Sequence, residues 1–250
     1  MNATHLAQSV VRQLIELGVQ DFVLSPGSRN APLSIALNKA HEKGLINLHI
    51  RIDERGAAYF ALGASKASDN YVALICTSGT AAANYHPAAL EAHHSNNKLI
   101  FITADRPARL RKTGANQTTL QSGILAPLES IDTADLIDCS KFLTGGPVHL
   151  NLQFDEPLIE ESSSEWLDGI KLSDHEPHKQ SGLNLQVDPQ SVIVIGHDRA
   201  GFDPEDVRSI VSASSLPVIA EDPLSFPTAI PHASLFLADP ELRKSFAAHQ

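Results

Sequence analysis

Short apolar runs alternate with amphipathic stretches through the first 155 residues, and few folds can bury that pattern. DFVLS, LINLHIRI, YVALICT, KLIFITA and PVHLNL are each too short and too continuously apolar for surface helices and read as strands. Ahead of the first, residues 5–17 place Leu6, Val10, Leu14 and Leu17 at helical spacing and stop at Gly18, a residue suited to a helix C-terminus. After it, Asn30 is the expected N-cap of a second helix that tolerates Pro32 in its first turn and ends near Gly44. Further helices are expected over Arg55–Ser68 and Thr80–His93. Strands separated by helices imply βαβ units, hence an α/β fold with a parallel sheet and helices on both faces.

Such sheets collect ligands at the carboxyl ends of their strands. The loops SPGSR (25–29), DERG (53–56), TSGT (77–80) and TADRP (103–107) all follow strands, so they meet at one edge if those strands share a sheet.

From Glu160 to Asp188 the chain turns polar and rich in Ser, Asp and His. This reads as a linker, giving a first domain at 1–158, a linker at 159–189 and a second α/β domain from 190 to 250. The second begins with SVIVIG, continues with a helix over Pro204–Ala213 and the strand LPVIAE, and closes on a helix within ADPELRKSFAAHQ. So few elements cannot cover both faces of a sheet, and this domain is expected to be incomplete.

A net charge of −10 argues against a nucleic-acid or anionic-membrane surface, both of which need a basic field. Membrane spans need roughly 18 apolar residues in a row; no such run occurs, and MNATHLAQSVVRQL lacks the features of a signal peptide, so a cytoplasmic protein is expected. Of the two cysteines, Cys76 lies inside YVALICT and reads as a buried thiol. The twelve histidines form no metal-binding spacing. Arg106, Arg109, Arg111 and Lys112 make one basic segment in an acidic chain. It reads equally as a site for a small anion or as a solvated loop.

SPGSR is a strand-to-helix turn whose N–H groups, hydroxyl and guanidinium can converge on a carboxylate or phosphate, or merely cap a helix. It is not a Walker loop, and VIVIGHDRAG lacks the dinucleotide fingerprint. In DERG one carboxylate can serve proton transfer in a cleft, or can simply favour a helix N-terminus. TSGT lacks the G-x-S-x-G pattern of a nucleophilic serine and reads better as a glycine turn that admits a ligand to the backbone.

Taken in order, SPGSRNAPL, IDERGAAYFALGASKAS, CTSGTAAANYHPAALEA and LIFITADRPARLRKTGANQTTLQ closely resemble the 2-succinyl-5-enolpyruvyl-6-hydroxy-3-cyclohexene-1-carboxylate synthases. These are menaquinone-pathway members of the thiamine-diphosphate enzymes. GGPVHLNLQFDEPL matches the close of that family's first domain; the resemblance is good over residues 5–158 and loose over 190–250. It implies a pyrimidine-binding domain in which Glu54 hydrogen-bonds N1′ of the aminopyrimidine and favours the imino form that deprotonates the thiazolium C2. Pro26, Thr77, Ser78, Gly79 and Asn84 would lie near the pyrimidine, and Ser28, Arg29, Arg106, Asn116 and Gln117 would contact the acceptor. The implied reaction decarboxylates 2-oxoglutarate on thiamine diphosphate and adds the product 1,4 to isochorismate. The implied assembly is a homodimer or homotetramer. Mg²⁺ and the diphosphate belong to a C-terminal G-D-G…N domain that these residues do not contain, so no metal ligand is named. Arg109, Arg111 and Lys112 receive no role. Two other readings stay open: another thiamine-diphosphate 2-oxo-acid decarboxylase or acetolactate synthase-like enzyme, and a catalytically silent α/β module that binds an anion.

Overall fold

A computed structural model describes residues 2–163, 165–170, 188, 191–196, 204–221 and 226–247. The chain divides into two compact units, residues 1–176 and 177–250.

The first unit is built from helices α1 (Ala3–Glu16), α2 (Ala31–Glu42), α3 (Glu54–Ser68), α4 (Thr80–Asn84) and α5 (His86–His94) around strands β1 (Asp21–Leu24), β2 (Asn47–Ile50), β3 (Val72–Cys76), β4 (Leu99–Asp105), β5 (Ser130–Thr133) and β6 (Val148–Gln153). All strand pairs are parallel, and the order across the sheet is β2-β1-β3-β4-β6-β5. The period-2 alternation of side chains sorts each strand between two cores. Phe22, Leu24, Ala73, Ile75, Ile100 and Ile102 face α1 and α2, whereas Val23, Leu74, Cys76, Leu99 and Phe101 face α3, α4 and α5. Both faces are therefore covered, as the continuous apolar runs imply.

Local chemistry sets the element ends. Asn2 caps α1 by accepting from the His5 N–H at 2.7 Å, and Asp53 caps α3 by accepting from the Gly56 N–H at 2.6 Å. Asn30 stands at the N-cap position of α2 but makes no capping bond. Its side chain turns back instead, accepting from the Gly27 N–H at 2.7 Å and donating to the Ser25 carbonyl at 2.9 Å. The expected helix Thr80–His93 is two helices meeting at Tyr85, because Pro87 has no N–H to continue the ladder. β5 was not anticipated.

Residues 159–163 and 165–170 lie against the first unit. A short 3₁₀ turn at Glu165–Leu167 buries Leu167 in the core beside α1, and Asn2 Nδ2 donates to Glu160 Oε2 at 2.6 Å. Most of the polar stretch beyond, including 171–187, falls outside the described residues.

The second unit holds two parallel strands, β7 (Ile193–Ile195) and β8 (Val218–Ala220), with α6 (Pro204–Ser214), α7 (Ala233–Ala238) and α8 (Pro240–Ala247). Ile195, Val211, Val218, Phe226 and Ala229 form its small core. The His197–Gly201 part of VIVIGHDRAG and the last three residues of the expected terminal helix lie outside the described residues. Among the described residues no helix is long and apolar enough to cross a membrane.

Both cysteines are free and buried. Burial pushes the Cys139 thiol up to about 12 and raises Cys76 further, so neither forms a thiolate at neutral pH.

Candidate functional site

The strand order places a switch point between β1 and β3, since the chain leaves β1 toward β2 and returns across it to β3. Adjacent parallel strands β2, β1, β3 and β4 end in DERG, SPGSR, TSGT and TADRP, so the four loops share one sheet edge.

The loops touch at atomic distance. A methyl group on Gly27 would lie 2.6 Å from Thr77 Cβ, so the SPG backbone meets the Thr77 side chain where only hydrogen fits. Gly79 adopts φ +82°, ψ −136°, a conformation that excludes other residues. The segment after β4 then folds back over TSG: Gln117 Nε2 donates to the Ser78 carbonyl at 2.9 Å and Ser78 Oγ donates to the Gln117 carbonyl at 3.0 Å. Arg106 Nη1 joins them, donating to Ser78 Oγ at 3.2 Å and to the Gln117 carbonyl at 3.0 Å.

Arg29 lies beside Arg106. Its Nη1 donates to the Phe154 carbonyl at 3.1 Å and sits 3.2 Å from Glu156 Oε1, while its buried Nε has no partner. Burial, and after it the neighbouring Arg29 charge, pulls the Arg106 guanidinium below its ordinary value; Asp105 and Glu156 oppose the shift. Two adjacent guanidiniums beside a largely exposed counter-ion have the chemistry to receive an anion.

Glu54 opens α3 and is half-buried; its carboxylate makes no hydrogen bond or ion pair among the described residues. Burial raises both the Cys76 thiol and the Tyr85 hydroxyl, and the Glu54 charge adds in the same direction. The Tyr85 hydroxyl, wholly buried, lies close to the Cys76 thiol and the Ser25 hydroxyl without a hydrogen bond of standard geometry to either. Flanking Glu54 in the chain, Ile52 is exposed at 78%, Ile50 at 56% and Tyr59 at 47%, interspersed with the exposed charges of Arg51, Asp53 and Arg55. The Arg51 guanidinium stacks 4.3 Å from the Phe60 ring centroid.

The structure thus brings Thr77, Ser78, Gly79, Arg29, Arg106 and Gln117 together. Pro26, Ser28, Asn84 and Asn116 are exposed on the same loops or just beyond them, and their side chains make no hydrogen bond among the described residues. The basic segment splits. Arg106 joins the site, and Arg109 pairs with Asp155 on the surface. Lys112 is exposed and unpaired among the described residues. Arg111 is drawn inward, Nη2 at 3.0 Å from Asp105 Oδ2 and Nη1 at 2.6 Å from Asp132 Oδ2.

Arg111 belongs to a buried polar network beneath the site that sequence reasoning missed. Asn151 Nδ2 donates to Asp105 Oδ2 and to Asp132 Oδ1, both at 3.0 Å, and its Oδ1 accepts from Thr103 Oγ1 at 2.7 Å and from Gln121 Nε2 at 2.9 Å. Because Thr103 donates its proton to Asn151, it accepts from His149 Nε2 at 2.8 Å, and His149 Nδ1 accepts from Ser130 Oγ at 2.9 Å. Burial takes the His149 imidazole down to about 4, so it is neutral. Burial raises Asp105 despite Arg111 and Asn151, while the Arg111 hydrogen bonds lower Asp132. Thr103 and Asp105 lie in TADRP and Arg111 in the basic segment, but no motif flags the others, because each is a single polar position inside a strand or a loop. Among the described residues no group of three or more His, Cys, Asp or Glu is placed to hold a metal ion.

Residues 4–124 match the family "Thiamine pyrophosphate enzyme, N-terminal TPP binding domain". Three relatives, each a 2-succinyl-5-enolpyruvyl-6-hydroxy-3-cyclohexene-1-carboxylate synthase, extend the likeness. The protein of Nocardioides sp. is 44% identical over 88% of this chain and 40% of its own length. That of Saccharopolyspora erythraea is 44% identical over 67% and 34%, and that of Thermobifida fusca 37% identical over 88% and 44%. The chain therefore spans less than half the length of the curated relatives it matches. Fold, family match and relatives define the class: the chain carries, over residues 4–124, the N-terminal domain of a thiamine pyrophosphate enzyme. Within that class the chain belongs to the 2-succinyl-5-enolpyruvyl-6-hydroxy-3-cyclohexene-1-carboxylate synthase family and corresponds to its N-terminal portion.

Proposed function

We propose that this chain is the pyrimidine-binding part of a transferase that decarboxylates 2-oxoglutarate on thiamine diphosphate and adds the resulting fragment 1,4 to isochorismate, a step of menaquinone biosynthesis. The observation that carries the reading is the meeting of an unpaired carboxylate, a glycine-lined backbone turn and a pair of guanidiniums at one sheet edge.

The residues fit the cofactor's pyrimidine end. Gly27 and Gly79 let Thr77 and Gln117 pack directly on their turns, which fixes the loops at the strand ends, and Glu54 is free to hydrogen-bond a ring nitrogen. Pro26, Thr77, Ser78, Gly79 and Asn84 would flank that ring. Thiamine diphosphate, when bound, supplies the carbanion chemistry. In this reading Glu54 holds the proton at N1′, and Arg29 and Arg106 with Ser28, Asn116 and Gln117 bind isochorismate through its carboxylates. Glu156, whose own side chain is 65% exposed, is the partner an incoming anion would replace on Arg29. Mg²⁺ and the diphosphate are held elsewhere, with no ligand named here. The exposed apolar side chains of Ile50, Ile52, Tyr59 and Phe60, flanking Glu54 in the chain, suit coverage by a second copy in a homodimer or homotetramer. A cytoplasmic location accompanies the reading.

The test uses the full native polypeptide with thiamine diphosphate, Mg²⁺ and 2-oxoglutarate, following isochorismate by absorbance. Consumption that requires all three additions supports the assignment. A folded, cofactor-binding protein that leaves isochorismate untouched but decarboxylates other 2-oxo acids overturns it in favour of another thiamine-diphosphate enzyme. A protein that binds anions but no cofactor is the silent module instead.

A further inference from the structure

Gln121 is wholly buried, and both ends of its amide are used. Oε1 accepts from the Gly79 N–H at 2.9 Å, and Nε2 donates to the Ala104 carbonyl at 3.2 Å and to Asn151 Oδ1 at 2.9 Å. One side chain thus joins the turn after β3, the end of β4 and the middle of β6.

Its orientation is dictated from below. Arg111 fixes the Asp105 and Asp132 carboxylates, and these accept both N–H bonds of Asn151. Asn151 Oδ1 therefore faces Gln121 as an acceptor, so Gln121 must present Nε2 to it and its oxygen to Gly79. The chain of bonds ends at a backbone N–H that sits in a glycine-only conformation and would lack an anchor without it.

Above, the arrangement is strained. Gln117, four residues earlier, has φ +56°, a left-handed backbone that residues other than glycine seldom adopt. Leu120, between the two glutamines, is 74% exposed and gives the loop little anchorage. What holds Gln117 in place is Ser78, with which it exchanges two hydrogen bonds, and Gly79, which packs against it and is itself anchored by Gln121; Arg106 takes its two acceptors from the Ser78–Gln117 pair.

We infer that Gln121 is a positioning residue that locks the acceptor-side pair Arg106 and Gln117 onto the cofactor-side turn Ser78–Gly79, so that it governs use of the acceptor rather than activation of the cofactor. The inference rests on the function proposed above. Gln121 touches no substrate; it acts through Gly79, and through the Gln117 backbone that Gly79 and Ser78 support.

The experiment compares two rates in the full native enzyme with thiamine diphosphate and Mg²⁺: carbon dioxide release from 2-oxoglutarate alone, and isochorismate consumption. Gln121→Met keeps the side-chain length and removes all three hydrogen bonds; the expected result is a KM for isochorismate raised about tenfold or more, with carbon dioxide release within about threefold of the parent. Gln121→Glu keeps an oxygen for Gly79 but, when ionised, opposes the Asn151 and Ala104 oxygens. Its KM for isochorismate is expected to be high at alkaline pH and to fall back toward the parent value as the carboxyl protonates. Equal loss of both rates in a folded Gln121→Met enzyme, or an unchanged isochorismate KM, overturns the role. Should Gln121→Met not fold, a Gln121→Glu enzyme whose KM follows the parent at every pH overturns it alone. If the parent enzyme itself does not consume isochorismate, the functional reading has failed before any variant is compared, and this inference falls with it.

Discussion

Gly27 and Thr77 stand so close that a Cβ built on the glycine would come 2.6 Å from Cβ of the threonine, closer than real carbon atoms approach. The contact joins the ends of the adjacent strands β1 and β3 at the switch point of the sheet. Gly27→Ala must push the turns apart, and overpacking of this kind costs about 1–3 kcal/mol. A lowered thermal midpoint is expected, together with weaker cofactor binding in the full enzyme; an unchanged midpoint would mean that the turns separate freely.

Glu54 makes no hydrogen bond or ion pair among the described residues, so its charge bears on the fold chiefly through the N-terminus of α3. Glu54→Gln is expected to change unfolding free energy by less than about 0.5 kcal/mol. Loss of a positioned proton-transfer group costs about 10²–10⁴ in rate, and turnover should fall by that order. Turnover near the parent level would remove Glu54 from its proposed role.

Arg111 compensates two carboxylates, one of them the wholly buried Asp105. Removing one partner of a buried ion pair costs about 3–5 kcal/mol, and Arg111→Met should destabilise by an amount of that order. Adding Asp105→Asn and Asp132→Asn to that variant should restore part of the loss. Denaturant midpoints of the single and triple variants decide it: a single variant as stable as the parent would show that the network does not need its cation.

His149 gives a pH dependence with a definite sign. Its folded value of about 4 lies below the ordinary 6.5, so between those pH values the unfolded chain takes up a proton that the folded one refuses. The stability tied to neutral His149 is fully present above pH 6.5 and is lost as pH falls toward 4, by at most about 3 kcal/mol. Urea titrations across this range should show a shallower slope for His149→Gln than for the parent; equal slopes would place the acid sensitivity elsewhere.

The parallel sheet, its helical cover and the shared edge of the four loops were legible in the sequence, because burial on both faces writes itself as unbroken apolar runs. β5 was not, since Ser130 and Asp132 are polar and their partners, His149 and Asn151, lie on a neighbouring strand. The single helix expected from Thr80 to His93 ignored the missing N–H of Pro87. Asn30 has the residue type of a helix cap, yet its side chain serves the loop before it. That Ser78, Gly79, Arg29 and Arg106 come together at one edge was readable from the order of strands and loops. The opposite fates of Arg106 and Arg111 were not, because composition cannot say which guanidinium turns toward the sheet. Gln121 and Glu156 carry no local pattern and emerge only from three-dimensional proximity.

The strand ladder has a mechanical consequence. Each of the four site loops springs from its own strand, and the strands are hydrogen-bonded in register across the sheet. A strand slides against its neighbour only in whole register steps, and each single-residue step of about 3.3 Å turns its inward side chains outward. The platform under Glu54, Ser78 and Arg29 is therefore indexed like a ratchet. Fine adjustment of fit falls to the overlying 106–121 segment, where remodelling to accept a different ring should begin.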